Sequence, residues 1–190
     1  MKKITLIITL FLLVTLSTKT IAQSQEDMQK WTVFMTPGDT HKMLAKSDGN
    51  WNEDITMWMV PNTPAQKSTA TCVNKMILGG RYQESISTGA FNGMPFEGHS
   101  IVGYDNAKKI LVSSWIDNFG TGIIYMEGTY DPSTKTATFK GKETDPMTGN
   151  DIDVRQTMQF IDDNTQLLTM YQTQNGQEFK SMEIKFTRKS

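Results

Sequence analysis

The sequence predicts a mainly β protein, an antiparallel up-and-down β-barrel of about ten strands behind a short N-terminal helical segment. Three observations carry this. Nine turn clusters interrupt the chain beyond residue 50, at regular spacing. The runs between them are short and rich in β-forming residues. Two of the clusters, Asn92-Gly93 and Asn175-Gly176, suit two-residue hairpins, whose type I′ turns need positive φ at both central residues.

The N-terminal 22 residues are set apart. Lys2 and Lys3 make a basic start, Ile4 to Leu16 is an apolar run broken only by threonines, and Thr20-Ile21-Ala22 offers a small-residue cleavage site. This is the layout of a secretory signal peptide, the apolar run being short for a membrane span. An uncleaved anchor is the alternative. Cleavage after Ala22 removes three of the 19 basic side chains and none of the 20 acids. The expected product is an acidic, exported protein, periplasmic or secreted, with no stable membrane span.

Residues 23–47 read as helical. Met28, Trp31, Val33, Phe34 and Met35 fall near helical spacing, and Thr36-Pro37-Gly38-Asp39 breaks the pattern. Thr40 is the expected cap of a second short helix holding His41, Met43 and Leu44, which ends at Ser47 to Asn50. A single barrel domain is expected over residues 48–190. Its turns are Pro61 to Pro64, Gly79-Gly80, Asn92-Gly93, Asp105-Asn106, Asn118 to Gly120, Asp131 to Thr134, Asp145 to Asn150, Asp162 to Asn164 and Asn175-Gly176.

Alternation divides each strand between two faces. After Lys109, the aliphatic-and-Ser face Ile110, Val112, Ser114, Ile116 is the candidate core, with Leu111, Ser113, Trp115, Asp117 opposite. Glu97 and His99 likewise oppose Phe96, Gly98 and Ser100. Many strands are half apolar on both faces. A barrel around a partly polar cavity shows this pattern, and so does a solvated outer face.

Gly49-Asn50-Trp51 resembles the Gly-x-Trp signature of lipocalin-like barrels, which places Trp51 in packing across one barrel end. A wider set of motifs follows: Asn74 to Tyr82 (NKMILGGRY), Met94 to Gly98, Gly103-Tyr104-Asp105, Ser114 to Asp117, Gly120-Thr121-Gly122, Met126 to Tyr130, Asp145 to Gly149 and Met182-Glu183-Ile184. In this order they resemble the bacterial family known as domain of unknown function 1579, from about Asp48 to the C-terminus. The resemblance implies a lipocalin-like barrel and brings no established activity, cofactor or catalytic residue.

Composition removes several classes of function. Near-balanced charge gives no electrostatic footprint for nucleic acid. A single cysteine excludes a disulfide within the chain, and only two histidines argue against a Cys/His zinc site. Cys72, in a strand-like run, is expected to be buried and inert. The related haem-binding ten-stranded barrels use a late histidine, whereas residues 100–190 contain none. Gly98-His99-Ser100-Ile101-Val102 lacks the second glycine and the following helix of a serine-hydrolase elbow. The methionines, 13 in all, are scattered singly apart from Met57-Trp58-Met59, which favours adaptable filler over Cu(I) ligands. Asp145, Asp151 and Asp153 crowd a loop without EF-hand order and read as a solvated turn. No metal, no cofactor and no catalytic residue is therefore expected.

The expected function is binding of a small, largely apolar or amphiphilic molecule inside the barrel. The strand residues able to supply polar contacts are Arg81, Glu84, Glu97, Trp115, Asp117, Tyr125 and Arg155. Arg81 in particular is expected to turn inward and fork a ligand carboxylate, and with one of Glu97 or Asp117 to orient the ligand's polar end. The alternatives are an enzyme using barrel-interior carboxylates on a small exported substrate, and a filled-core barrel acting as an interaction module.

Overall fold

The structure, a computed structural model, describes residues 23–189. The predicted signal peptide, residues 1–22, lies outside the described residues. The chain divides into two compact units between Thr36 and Pro37. The first holds a helix over residues 23–35 (α1), where Lys30 pairs with Glu26 one turn earlier at 2.7 Å.

The second unit opens with a short helix, α2 (Asp39–Ala45), and continues as ten strands. These are β1 (Gly49–Met57), β2 (Gln66–Ile77), β3 (Tyr82–Phe91), β4 (Met94–Asp105), β5 (Ile110–Asp117), β6 (Ile124–Asp131), β7 (Thr136–Thr144), β8 (Asp151–Asp162), β9 (Thr165–Gln174) and β10 (Gln177–Arg188). Each pairs antiparallel with the next, and β10 closes on β1 with Trp51 opposite Arg188. The result is a closed up-and-down barrel with no free sheet edge. All nine turn clusters fall at strand junctions, with Asp105, Asp131 and Asp162 closing the strands that precede them. Asn92-Gly93 and Asn175-Gly176 carry positive φ at both residues, 50° and 79° in the first and 53° and 74° in the second.

Two local expectations are corrected. The N-cap of α2 is Gly38, and Thr40 lies inside the helix. The cap forms there because His41 Nδ1 accepts the Gly38 N–H at 3.0 Å, satisfying one of the donors a helix start leaves open. In β5 the inward face is Leu111, Ser113, Trp115 and Asp117, not the aliphatic one. Leu111 is wholly buried and Ser113 nearly so, while Ile116 on the other face is 47% exposed. The interior here accepts a serine, an indole N–H and an acid, so hydrophobicity alone picks the wrong face.

Strand polarity puts α2 and four hairpin turns at one end and the five other loops at the opposite end. The α2 end is sealed. Trp51 is fully buried there and its Nε1 donates to the Ser47 carbonyl at 2.9 Å. Asn74 Nδ2 donates to the same carbonyl, Gln166 Nε2 donates to Ser47 Oγ at 2.8 Å, and Gln83 Nε2 donates to the Leu44 carbonyl at 2.6 Å. Side chains from β2, β3 and β9 thereby satisfy the backbone where α2 turns into β1.

Candidate functional site

Above this sealed floor the barrel encloses a cavity of about 420 Å³. Its wall is two-sided. On β2 to β5 the inward positions include Ser68, Ser85, Ser87, Ser100 and Ser113, which are too small to fill the lumen. On β6 to β10 they include Met126, Phe139, Met158, Phe160, Leu168 and Met170. Small polar residues facing bulky apolar ones leave a gap that the far wall makes hydrophobic. Six methionines line it: Met57, Met59, Met126, Met158, Met170 and Met182. Their unbranched side chains adapt to an irregular surface.

The end away from α2 carries an aromatic cluster. Phe119 in the β5–β6 loop lies 5.5 Å from Phe96 and 6.2 Å from Phe91, and Phe96 stacks on Trp115 at 6.3 Å. Gly98 makes this arrangement possible, because a Cβ there would come within 2.3 Å of the Trp115 ring. Trp115 Nε1 donates to Asp117 Oδ2 at 2.8 Å, while Asp117 Oδ1 accepts the N–H groups of Phe119 and Gly120. Asp117 thus fixes both the indole and the loop that carries Phe119.

Three carboxylates line the cavity: Glu53, Asp117 and Glu143. No Lys, Arg or His does so among the described residues. Glu53 follows Trp51 by two residues on the inward face of β1, just above the floor, and is only 3% exposed. Ser87 Oγ donates to its Oε1 at 2.9 Å. Burial raises the Glu53 pKa, and the Ser87 bond opposes that rise. Burial does the same to Glu143, which accepts a hydrogen bond from Gln172 Nε2. Cys72 is buried beside Glu53, and its thiol is pushed up to about 12, first by burial and then by the Glu53 charge. With no imidazole lining the cavity, Ser87 and Cys72 have no histidine base to activate them there.

Of the residues singled out from sequence, Trp115 and Asp117 line the cavity and touch each other. The others do not line it. Arg81 does not turn inward: it is exposed in the β2–β3 turn at the α2 end, where its Nη1 donates to the Leu78 carbonyl at 3.1 Å. Glu84 sits between the inward residues Gln83 and Ser85 and so faces outward. Glu97 pairs with His99 Nε2 at 3.0 Å on the exposed side of β4. Tyr125 is exposed and donates to Glu127 at 3.1 Å. Arg155 forks Glu178 at 2.8 and 2.6 Å and lies over the Tyr171 ring on the outer surface. Glu97, Tyr125 and Arg155 are engaged with neighbours of the outer sheet, as long polar residues on the solvated face of a barrel are.

Glu53, Ser87, Glu143 and Arg188 were not singled out from sequence. For Glu53 a signal was present, since any strand that points Trp51 inward must point Glu53 inward too. Asp145, Asp151 and Asp153 form no ligand set, and no group of three His, Cys, Asp or Glu residues suited to a metal exists among the described residues.

A family model described as "Protein of unknown function (DUF1579)" matches residues 36–188. No curated protein matches the sequence. Among solved structures, the chain is similar to the crystal structure of Rv2717c from M. tuberculosis, with 11% identity and a TM-score of 0.59. That similarity covers 82% of this chain and 100% of the other, and it concerns the fold.

Proposed function

The chain belongs to the family of proteins of unknown function DUF1579, and we propose that its barrel binds one small, largely apolar molecule in the central cavity. The observation that carries this reading is the cavity itself. At about 420 Å³ it falls within the range of small-molecule sites, and its Met, Phe, Leu and Ile lining with a few polar groups has their usual character. The sealed α2 end and the aromatic cluster at the other end support entry from the side of Phe91, Phe96 and Phe119. The basic start and apolar run of residues 1–22 support an exported, periplasmic or secreted, protein.

An environment-sensitive hydrophobic dye titrated into the native protein tests the reading. One saturable site per chain is expected, lost when the barrel unfolds. Fluorescence that rises only on unfolding would show that the native interior is closed to ligands.

A further inference from the structure

The cavity's charged lining is wholly acidic, and this bears on what the ligand carries. An anionic head group would enter a space that holds Glu53, Asp117 and Glu143 and no basic side chain. It would lose its hydration beside like charges and gain no cationic partner, only neutral hydroxyl and amide donors. The three carboxylates are not equivalent. Asp117 already accepts three hydrogen bonds from Trp115, Phe119 and Gly120, and Glu143 accepts one from Gln172. Glu53 is the most deeply buried, and a single hydroxyl, Ser87 Oγ, donates to it among the described residues.

A carboxylate has about four acceptor sites. No buried side-chain oxygen among the described residues lacks a partner, so the second Glu53 oxygen is not sealed in the wall but meets the cavity space. Around it the wall is apolar or neutral: Ile55, Ala70 and Cys72 are neighbours in sequence or register on β1 and β2. A group entering here meets one under-used acceptor at the end of a space walled by small serines on one side and bulky apolar side chains on the other.

We propose that the cavity selects a ligand whose polar end is a protonated nitrogen, an amine on an apolar body, seated against the Glu53 carboxylate above the Trp51 floor. The proposal rests on the binding reading above and adds the chemistry of the head group. The amine donates to the free Glu53 oxygen while Ser87 holds the other, and the apolar body extends past Met158, Leu168 and Met170 toward the aromatic end.

The test compares octylamine, octanol and octanoic acid at pH 7, each displacing a bound hydrophobic dye from the full native chain. One charge-assisted hydrogen bond in a desolvated site predicts about tenfold to a hundredfold tighter binding for the amine than for the alcohol, with the acid weakest. Glu53→Gln is expected to bring the amine to the level of the alcohol, while Glu84→Gln on the outward face of β3 keeps the preference. Equal binding of amine and alcohol to the unsubstituted protein, or tighter binding of the acid, would overturn the proposal while leaving the cavity as a binding site. That comparison needs no variant and so decides the matter even if Glu53→Gln does not fold. A preference kept in Glu53→Gln would move the head group elsewhere and overturn it too. Failure of all three ligands and of the dye would instead remove the binding reading itself.

Discussion

The Arg188 guanidinium lies over the Trp51 ring, 4.2 Å from its centroid, and joins the last strand of the barrel to the first. The same guanidinium donates to the carbonyls of Lys46, Asp48 and Asp163, at 2.7, 2.6 and 2.8 Å. One side chain therefore seals the indole, ties down the α2–β1 connection and holds the β8–β9 turn.

Loss of Trp51 should open the floor. Trp51→Ala is expected to cost about 3–5 kcal/mol, the scale for truncating a buried tryptophan. For a domain of this size that lowers Tm by roughly 6–20 °C. Arg188→Met, which keeps the aliphatic stem and removes the donors, is expected to cost about 1.5–3 kcal/mol. Thermal unfolding followed by circular dichroism checks both, and a Tm within a degree of the unsubstituted protein for Trp51→Ala would contradict the account of the sealed end.

Cys72 should be chemically silent in the folded barrel. A thiol pushed from 9.0 up to about 12 has about a thousandfold less thiolate at neutral pH, before its burial is counted. Thiol-specific reagents are expected to label it only in denaturant, and non-reducing gels are expected to show no disulfide-linked dimer. Rapid labelling of the native chain would place Cys72 on an accessible surface.

The barrel's architecture was legible because it is written locally. Each hairpin turn carries its own chemistry, as Asn92-Gly93 and Asn175-Gly176 show, and ten strands with short connections leave few topologies. The inward face was less legible. Ile116 and Val73 lie on the outer face of the barrel, 47% and 49% exposed, while Ser87 and Glu53 lie buried inside. A cavity with a polar lining defeats the rule that the apolar face is the core. The sealed end was least legible, since Gln166 meets Ser47 and Arg188 meets Asp48 across more than a hundred residues of chain. Nothing local in Gln166 or Arg188 announces those contacts; barrel closure creates them.

Glu53 should make stability depend on pH. Burial raises its pKa above the ordinary 4.5, so the folded barrel holds this proton more tightly than the unfolded chain. Its contribution is fully present below about pH 4.5 and is lost as pH rises through the folded-state pKa. Glu53→Gln removes that loss. The Tm of Glu53→Gln minus that of the unsubstituted protein is therefore expected to increase from about pH 4 to about pH 8. A difference that stays constant over this range would mean that Glu53 titrates as it does in the unfolded chain.

Filling the cavity is the most direct test of the claim that the barrel interior is the binding site. Ser85 and Ser100 face each other across β3 and β4, and both line the lumen. Ser85→Phe puts a ring into that space, whereas Ser114→Phe adds the same ring to the outward face of β5. Dye affinity is the quantity to measure, in both variants and in the unsubstituted protein, with folding verified by circular dichroism. The interior site predicts at least about a tenfold loss in Ser85→Phe, the effect of about 1.4 kcal/mol, and no change in Ser114→Phe. Undiminished binding in folded Ser85→Phe would contradict it.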